Sequence, residues 1–431
     1  MIRDSVMRQT CLRAGVLLLT LLSACASDPP VSIDLMPAPD VYDDADFNPL
    51  PGQDPYDTAA YSGLLYATDR LPTHGEGRER FYANERGNVL RLGLADVKLG
   101  DGAIDWEEAK RISLLKNRAA SYPLSVSGVN EIGVLRASVT PFDPMPDQDA
   151  AAPFAELINA RLAASTRQDI FIYVHGYKVV FENPILVASE LWHFLGYDGV
   201  MIAYAWPSTP SKLAYVSDVE TAAVTARNLR LLIEYLSRET QVRRIHIIGY
   251  SAGSRVVLGA LGQLTLLHAD DDTTHPALDI GRVVLVGSDY DRELFGTYLS
   301  DGLLSIVDDV TVYISPTDKA LGISRMLFAR ARLGESVQDA DIGTEVRTYL
   351  EQNRAVNLIN VSNAASSDTG NGHAYFRRSP WVSSDILMSL YWDMSPSERG
   401  LIREPGAVIW QFPQDYPQRL VEAIDKRLPE N

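Results

Sequence analysis

Cysteine is nearly missing from this chain of 431 residues. There are two, Cys11 and Cys25, both near the start. Nothing downstream of Cys25 can form a disulfide, act as a thiol nucleophile or bind metal through sulfur. Positive charge is also scarce, with 39 Lys and Arg against 56 Asp and Glu and a formal net charge of −17. That balance argues against a nucleic-acid partner, which needs a basic footprint. Long apolar runs are missing too. The stretch Ala14 to Leu22 is almost wholly apolar but falls well short of the ~20 residues a membrane-spanning helix requires. There is no internal repeat and no low-complexity segment beyond an acidic, Pro-rich stretch near the start.

What the first residues do contain is ordered. Arg3, Arg8 and Arg13 make a positive start, the apolar run follows, and Leu22-Ser23-Ala24-Cys25 closes it. This is the pattern of an export signal over residues 1–24, and its ending resembles the lipobox of bacterial lipoproteins. The resemblance implies that Cys25 becomes the lipidated first residue of the mature chain. Ala26 after it then implies retention in the cell envelope, at the outer membrane facing the periplasm. Residues 26–60 hold eight Asp and seven Pro with no Lys or Arg. With so little apolar surface to bury, residues 25–60 read as a disordered tether.

From residue 151 onward strands and helices alternate. Apolar runs of strand length occur at Ile170–Val174, Gly199–Trp206, Arg244–Ile248, Arg282–Val286, Val310–Ile314 and Val356–Val361. Helical spacing separates them at Phe154–Ala164, Pro184–Leu195 and Asp218–Leu236. Near-continuous apolar strands joined by helices predict an α/β, doubly wound, mostly parallel sheet covered on both faces. Residues 61–150 differ. Short strand-like runs at Leu64–Ala67, Val89–Leu94 and Ile132–Val139 are broken by Gly and polar residues, which predicts a β-rich, antiparallel N-terminal extension.

One pentapeptide carries chemistry. Gly249-Tyr250-Ser251-Ala252-Gly253 lies between the run Arg244–Ile248 and a helical pattern beginning at Gly253. A G-x-S-x-G sequence between strand and helix makes a sharp bend that lifts the serine hydroxyl above the sheet edge. The flanking glycines remove side chains that would strike the neighbouring strand and helix. A serine needs a base, and the base needs an acid to hold it. With the nucleophile on such a bend, the acid and then the base follow it in the chain. Of seven histidines (74, 175, 193, 246, 268, 275 and 373), order removes the first four. His268 and His275 sit in an acidic loop, so His373, in a Gly-rich loop after the last apolar strand, is the base candidate. For the acid, Asp318 after Val310–Ile314 is favoured over Asp289 after Arg282–Val286, and helix capping is the competing role for Asp318. The oxyanion donors expected are the backbone N–H groups of Ala252 and of Tyr177, the latter in His175-Gly176-Tyr177 after Ile170–Val174.

These segments, together with Tyr66-Ala67-Thr68-Asp69-Arg70, Leu92–Val97, Gly287–Asp291, Asp318-Lys319-Ala320-Leu321 and His373-Ala374-Tyr375-Phe376, resemble a bacterial α/β-hydrolase family of unknown function whose members are often lipoproteins. The resemblance spans most of residues 62–395. It implies the α/β-hydrolase fold and serine hydrolase chemistry, with Ser251 and His373 at the nucleophile and base positions. It implies no particular substrate. Val286-Gly287-Ser288 departs from an Ala-Pro pair more common in the family, which weakens Asp289 as the acid. The expected activity is cleavage of a small-molecule or lipid carboxylic ester, with no metal and no cofactor. The alternative is a non-catalytic lipoprotein that uses the same fold as a binding scaffold.

Overall fold

The computed structural model describes residues 31–44, 47–52, 54–55, 63–73, 80–135, 150–211, 214–268, 278–335, 337–368 and 370–427. The signal segment 1–24, Cys25, His74 and His275 lie outside the described residues.

Eleven strands form one sheet in the order β1-β4-β3-β2-β6-β5-β7-β8-β9-β10-β11. Their ranges are β1 Ser32–Asp34, β2 Leu64–Pro72, β3 Tyr82–Leu99, β4 Pro123–Leu135, β5 Asp169–Val174, β6 Val200–Tyr204, β7 Arg244–Tyr250, β8 Ile280–Val286, β9 Val307–Ile314, β10 Val356–Asn360 and β11 Ile409–Gln411. From β2 to β11 every neighbouring pair is parallel. The three strands beyond β2 join antiparallel. Helices of eight or more residues are α1 Trp106–Ser113, α2 Ala152–Ala164, α3 Glu182–Phe194, α4 Tyr215–Glu239, α5 Gly253–Leu267, α6 Arg292–Ser300, α7 Lys319–Phe328, α8 Thr344–Gln352, α9 Pro380–Trp392 and α10 Tyr416–Asp425.

The apolar runs form strands because both faces of each are buried. In β5, Ile170, Ile172 and Val174 enter one core cluster while Phe171 and Tyr173 enter the other. β6 divides the same way, with Val200, Ile202 and Tyr204 opposite Met201 and Ala203. This period of two turns a continuous apolar run into two cores, one on each side of the sheet.

The N-terminal reading needs correction. The tether expectation fails across the described residues 31–44 and 47–50. Ser32–Asp34 pairs with β4, the Leu35 N–H donates to Tyr122 O at 2.9 Å, and Leu35, Met36, Ala38, Val41 and Leu50 are buried. The charge is accommodated as well, since Asp40 pairs with Lys116 at 2.9 Å. Composition missed this because the partners of its few apolar residues lie far along the chain: β4 at Ser32–Asp34, Leu115 O for the Ala38 N–H and Ser384 Oγ for the Val41 N–H. The β-rich extension, meanwhile, is continuous with the main sheet: β2 pairs in parallel with β6.

The strand order also locates a crevice. After β5 the chain crosses to β6 on one side and then returns to β7 on the other. Loops leaving the carboxyl ends of β5 and β7 therefore diverge, which is where open α/β sheets hold ligands.

Candidate active site

The turn after β7 carries Ser251 with φ of +53°. That region is unfavourable for any residue with a Cβ, by about 1–2 kcal/mol, and such strain persists only where the surroundings enforce it. The enforcement is visible. The Ser251 N–H donates to Val286 O at 2.9 Å, and the Ser251 carbonyl accepts from the Asp289 N–H at 3.3 Å and from Ser254 Oγ at 2.5 Å. A side chain on residue 253 would strike the carbonyls of Val174 and His175, and one on residue 249 would press on Leu285 and Val257 at 3.1 Å. The two glycines of the pentapeptide thus answer two separate steric demands.

Gly176 lies against the nucleophile. A methyl group there would stand 2.9 Å from Ser251 Cβ. His175 is wholly structural: its Nδ1 lies 2.6 Å from Gly176 O and its Nε2 3.1 Å from Trp206 O. Its ring is stacked on Trp206 at 5.3 Å. Burial drives its pKa well below the usual imidazole value, helped by Arg70. With the Gly176 carbonyl turned to His175, the N–H of the same trans peptide, that of Tyr177, points the opposite way. Among the described residues neither the Tyr177 N–H nor the Ala252 N–H donates to another group.

His373 and Asp318 are hydrogen-bonded, Nδ1 to Oδ2 at 2.6 Å. The capping role considered for Asp318 is real and simultaneous, because its other oxygen accepts from the N–H groups of Ala320 (3.0 Å) and Leu321 (3.1 Å) at the start of α7. One carboxylate oxygen orients the helix and the other the imidazole. The loop bearing His373 is fastened to the same turn: the Lys319 N–H donates to Asn371 O at 3.1 Å. Gly372, at φ of +66°, approaches so closely that a Cβ would sit 2.5 Å from Thr317 O.

Asp289 is placed elsewhere. It accepts from Arg255 Nε at 3.0 Å and from the Tyr215 and Ser324 hydroxyls, with Arg332 Nε 3.8 Å away. The imidazole's carboxylate partner is therefore Asp318, not Asp289.

His373 packs against two residues that adjoin the nucleophile turn. The ring of Tyr250, immediately before Ser251, lies 5.1 Å from the imidazole. Gly287, next to the Val286 carbonyl that binds the Ser251 N–H, would press a Cβ to 3.0 Å from His373 Cε1. Ser251 Oγ itself makes no hydrogen bond among the described residues, so the Ser251–His373 contact is open in this structure. Base–nucleophile bonds are often long before substrate binds. Among the described residues no group of three or more His, Cys, Asp or Glu is placed to hold a metal ion.

Sequence reasoning missed three parts of this arrangement. Gly287, at φ of +54°, makes room for the imidazole, and its N–H donates to the Tyr375 hydroxyl at 2.7 Å. Tyr375, two residues after His373, in turn donates to Tyr313 O at 3.0 Å, tying β8, β9 and the histidine loop together. The Arg255–Asp289–Arg332 cluster was not foreseen either. Its only advance signal was an arginine four residues, about one helical turn, after the serine.

A mostly parallel sheet wound on both faces, with a strained serine at the strand–helix bend and an Asp–His pair on later loops, defines an α/β-hydrolase scaffold. Residues 150–389 match the family described as alpha/beta hydrolase of unknown function (DUF900), and the chain belongs to that family. No curated protein and no solved structure matches it.

Proposed function

We propose that this protein is a serine hydrolase that cleaves a carboxylic ester, of a small molecule or a lipid, through an acyl-enzyme. The observation that carries the reading is the left-handed backbone at Ser251 beside a preformed Asp318–His373 pair. In this reading Ser251 Oγ attacks the ester carbonyl as His373 Nε2 takes its proton. Asp318 holds the imidazole through Nδ1–H and stabilises the cation that forms. The N–H groups of Ala252 and Tyr177 receive the oxyanion, each worth on the order of 3 kcal/mol in the transition state. His373 returns the proton to the departing alcohol, and a water activated by the same base releases the acid.

The anchoring proposal is separate. Cys25 carries lipid and holds the domain in the envelope, at the outer membrane facing the periplasm. Among the described residues no helix is long and apolar enough to cross a membrane. Carbonate-resistant membrane association that disappears in Cys25→Ala supports the anchor.

Hydrolysis of short-chain p-nitrophenyl esters by the purified full chain, compared with Ser251→Ala, tests the activity. Turnover that vanishes in the variant is the expected result; equal rates, or none in either, would remove the assignment. The open Ser251–His373 contact favours a second reading, a non-catalytic scaffold. Partner capture unchanged by Ser251→Ala, with no turnover in the parent, identifies that case.

A further inference from the structure

Beside the nucleophile lies a buried cluster with more positive than negative charge. Arg255 is on α5, one turn beyond Ser251. Arg332 lies on a short segment whose residues bridge to the turn after β8: Leu333 N–H donates to Tyr290 O and Gly334 N–H to Ser288 O, both at 2.9 Å. Each guanidinium faces the Phe328 ring, at 5.3 Å for Arg255 and 4.6 Å for Arg332. Between them they share one carboxylate, Asp289, already engaged by the Tyr215 and Ser324 hydroxyls. Two neighbouring acids are engaged elsewhere: Glu335 accepts from the backbone N–H of Arg332 and pairs with Arg325 at 3.4 Å, and Asp291, bridged to Arg332 through the backbone, caps α6 with its carboxylate.

Three guanidinium nitrogens are left over. Arg255 Nη2, Arg332 Nε and Arg332 Nη2 are buried and have no acceptor. Arg332 is only 2% exposed. Two buried cations on one carboxylate, with donors left unsatisfied, are costly, and a planar guanidinium is built to take an oxyacid group by paired hydrogen bonds. The cluster also adjoins the reacting centre. The Asp289 N–H binds the Ser251 carbonyl at 3.3 Å, and the Tyr215 ring lies edge-on to Tyr177 at 4.8 Å, in the loop that supplies an oxyanion donor.

We infer that Arg255 and Arg332 form an anion subsite, and that the preferred substrate is an ester carrying a second, ionised oxyacid group, a carboxylate or a phosphate, close to the scissile bond. The inference rests on the serine hydrolase reading for its substrate and on the unpaired guanidinium nitrogens for its site.

Two measurements on the purified full chain separate the two. The first compares kcat/KM for the p-nitrophenyl monoester of glutaric acid with its neutral methyl ester. The parent enzyme favours the acid by roughly tenfold or more, as expected for a charge-assisted pair. The preference collapses towards unity in Arg255→Met and in Arg332→Met, and is partly kept in Arg255→Lys, which retains charge without the fork. A parent that does not prefer the acid, or a preference that survives both methionine variants, overturns the subsite. The second measurement titrates glutarate and inorganic phosphate calorimetrically into Ser251→Ala. Binding that is lost in Ser251→Ala/Arg255→Met supports the subsite even if no ester is turned over, and tells carboxylate from phosphate. Absence of binding by both anions overturns it. Circular dichroism shows that each variant is folded, and Arg255, whose side chain is 14% exposed, stands in if Arg332→Met is not.

Discussion

Two aspartates follow two adjacent strands of the same sheet, and their surroundings differ completely. Asp289, after β8, is enclosed by two arginines, a tyrosine and a serine. Asp318, after β9, has two backbone N–H groups on one oxygen and an imidazole on the other. Position in the chain permits either to serve as the acid behind a histidine. What decides is the company each keeps: a glycine-bearing loop that can reach the turn at Asp318, and arginines from a helix and a strap that occupy Asp289. Asp318 gives one oxygen to the helix and the other to the imidazole, whereas Asp289 is committed to neutralising buried cations.

That contrast can be broken by mutation. The largest effect is expected at the nucleophile itself. Ser251→Ala lowers kcat by a factor on the order of 10⁴ or more, while the melting temperature moves by only about 2 °C, because alanine meets the same backbone strain. Unfolding would show that Ser251 is chiefly a packed residue.

The two aspartates then separate. In Asp318→Asn, kcat falls by a factor on the order of 10³–10⁴ through loss of the imidazole's orientation. Stability changes little, since asparagine caps a helix about as well as aspartate. Asp289→Asn does the reverse. It leaves two buried guanidiniums without a counter-ion, costing about 3–5 kcal/mol of stability, with the smaller loss in kcat. Chemical denaturation and steady-state kinetics on both variants read the pair. A reversed pattern would hand the acid role to Asp289.

Gly372→Ala sharpens the same comparison, because it attacks only the Asp318 side. The added Cβ meets Thr317 O at 2.5 Å on a backbone at φ of +66°. It should move the histidine loop away from the acid and cut kcat by roughly 10²-fold, at a stability cost of about 1–3 kcal/mol. Full activity would mean the loop's fit to the Thr317–Asp318 turn is irrelevant.

The smallest effect concerns a histidine outside the site. Burial pushes the His193 pKa down to about 4, with Arg118 adding to it, and its nitrogens contact the Tyr197 and Ser113 hydroxyls at 2.8 and 2.7 Å. The folded pKa lies below the unfolded value, so the unfolded chain binds more protons. The stabilisation is complete above about pH 6.5 and is lost as pH falls towards 4, amounting to about 3 kcal/mol. Thermal melts of the parent and His193→Gln between those limits should converge at the acid end.

How far the residues announced all this depends on whether the signal was local. Each apolar run from Ile170 to Val361 became a strand close to its expected bounds, because burial on both faces demands an uninterrupted apolar sequence. Ser251 was equally legible, since its strain requires glycines at fixed offsets. The described residues 31–44 and 47–50 were not, because what orders them is a surface built by elements distant in the chain, β4 and α9 among them. Gly287 and Arg332 were hidden for the same reason: one makes space for an imidazole and the other shares a carboxylate, and neither relation leaves a mark in neighbouring residues.

The most direct measurement is peptide mapping of the protein after reaction with a fluorophosphonate. A single adduct on Ser251, abolished in His373→Ala and strongly slowed in Asp318→Asn, is the outcome this structure predicts. An unmodified Ser251 in the folded parent, or labelling that persists at full rate without His373, would contradict it.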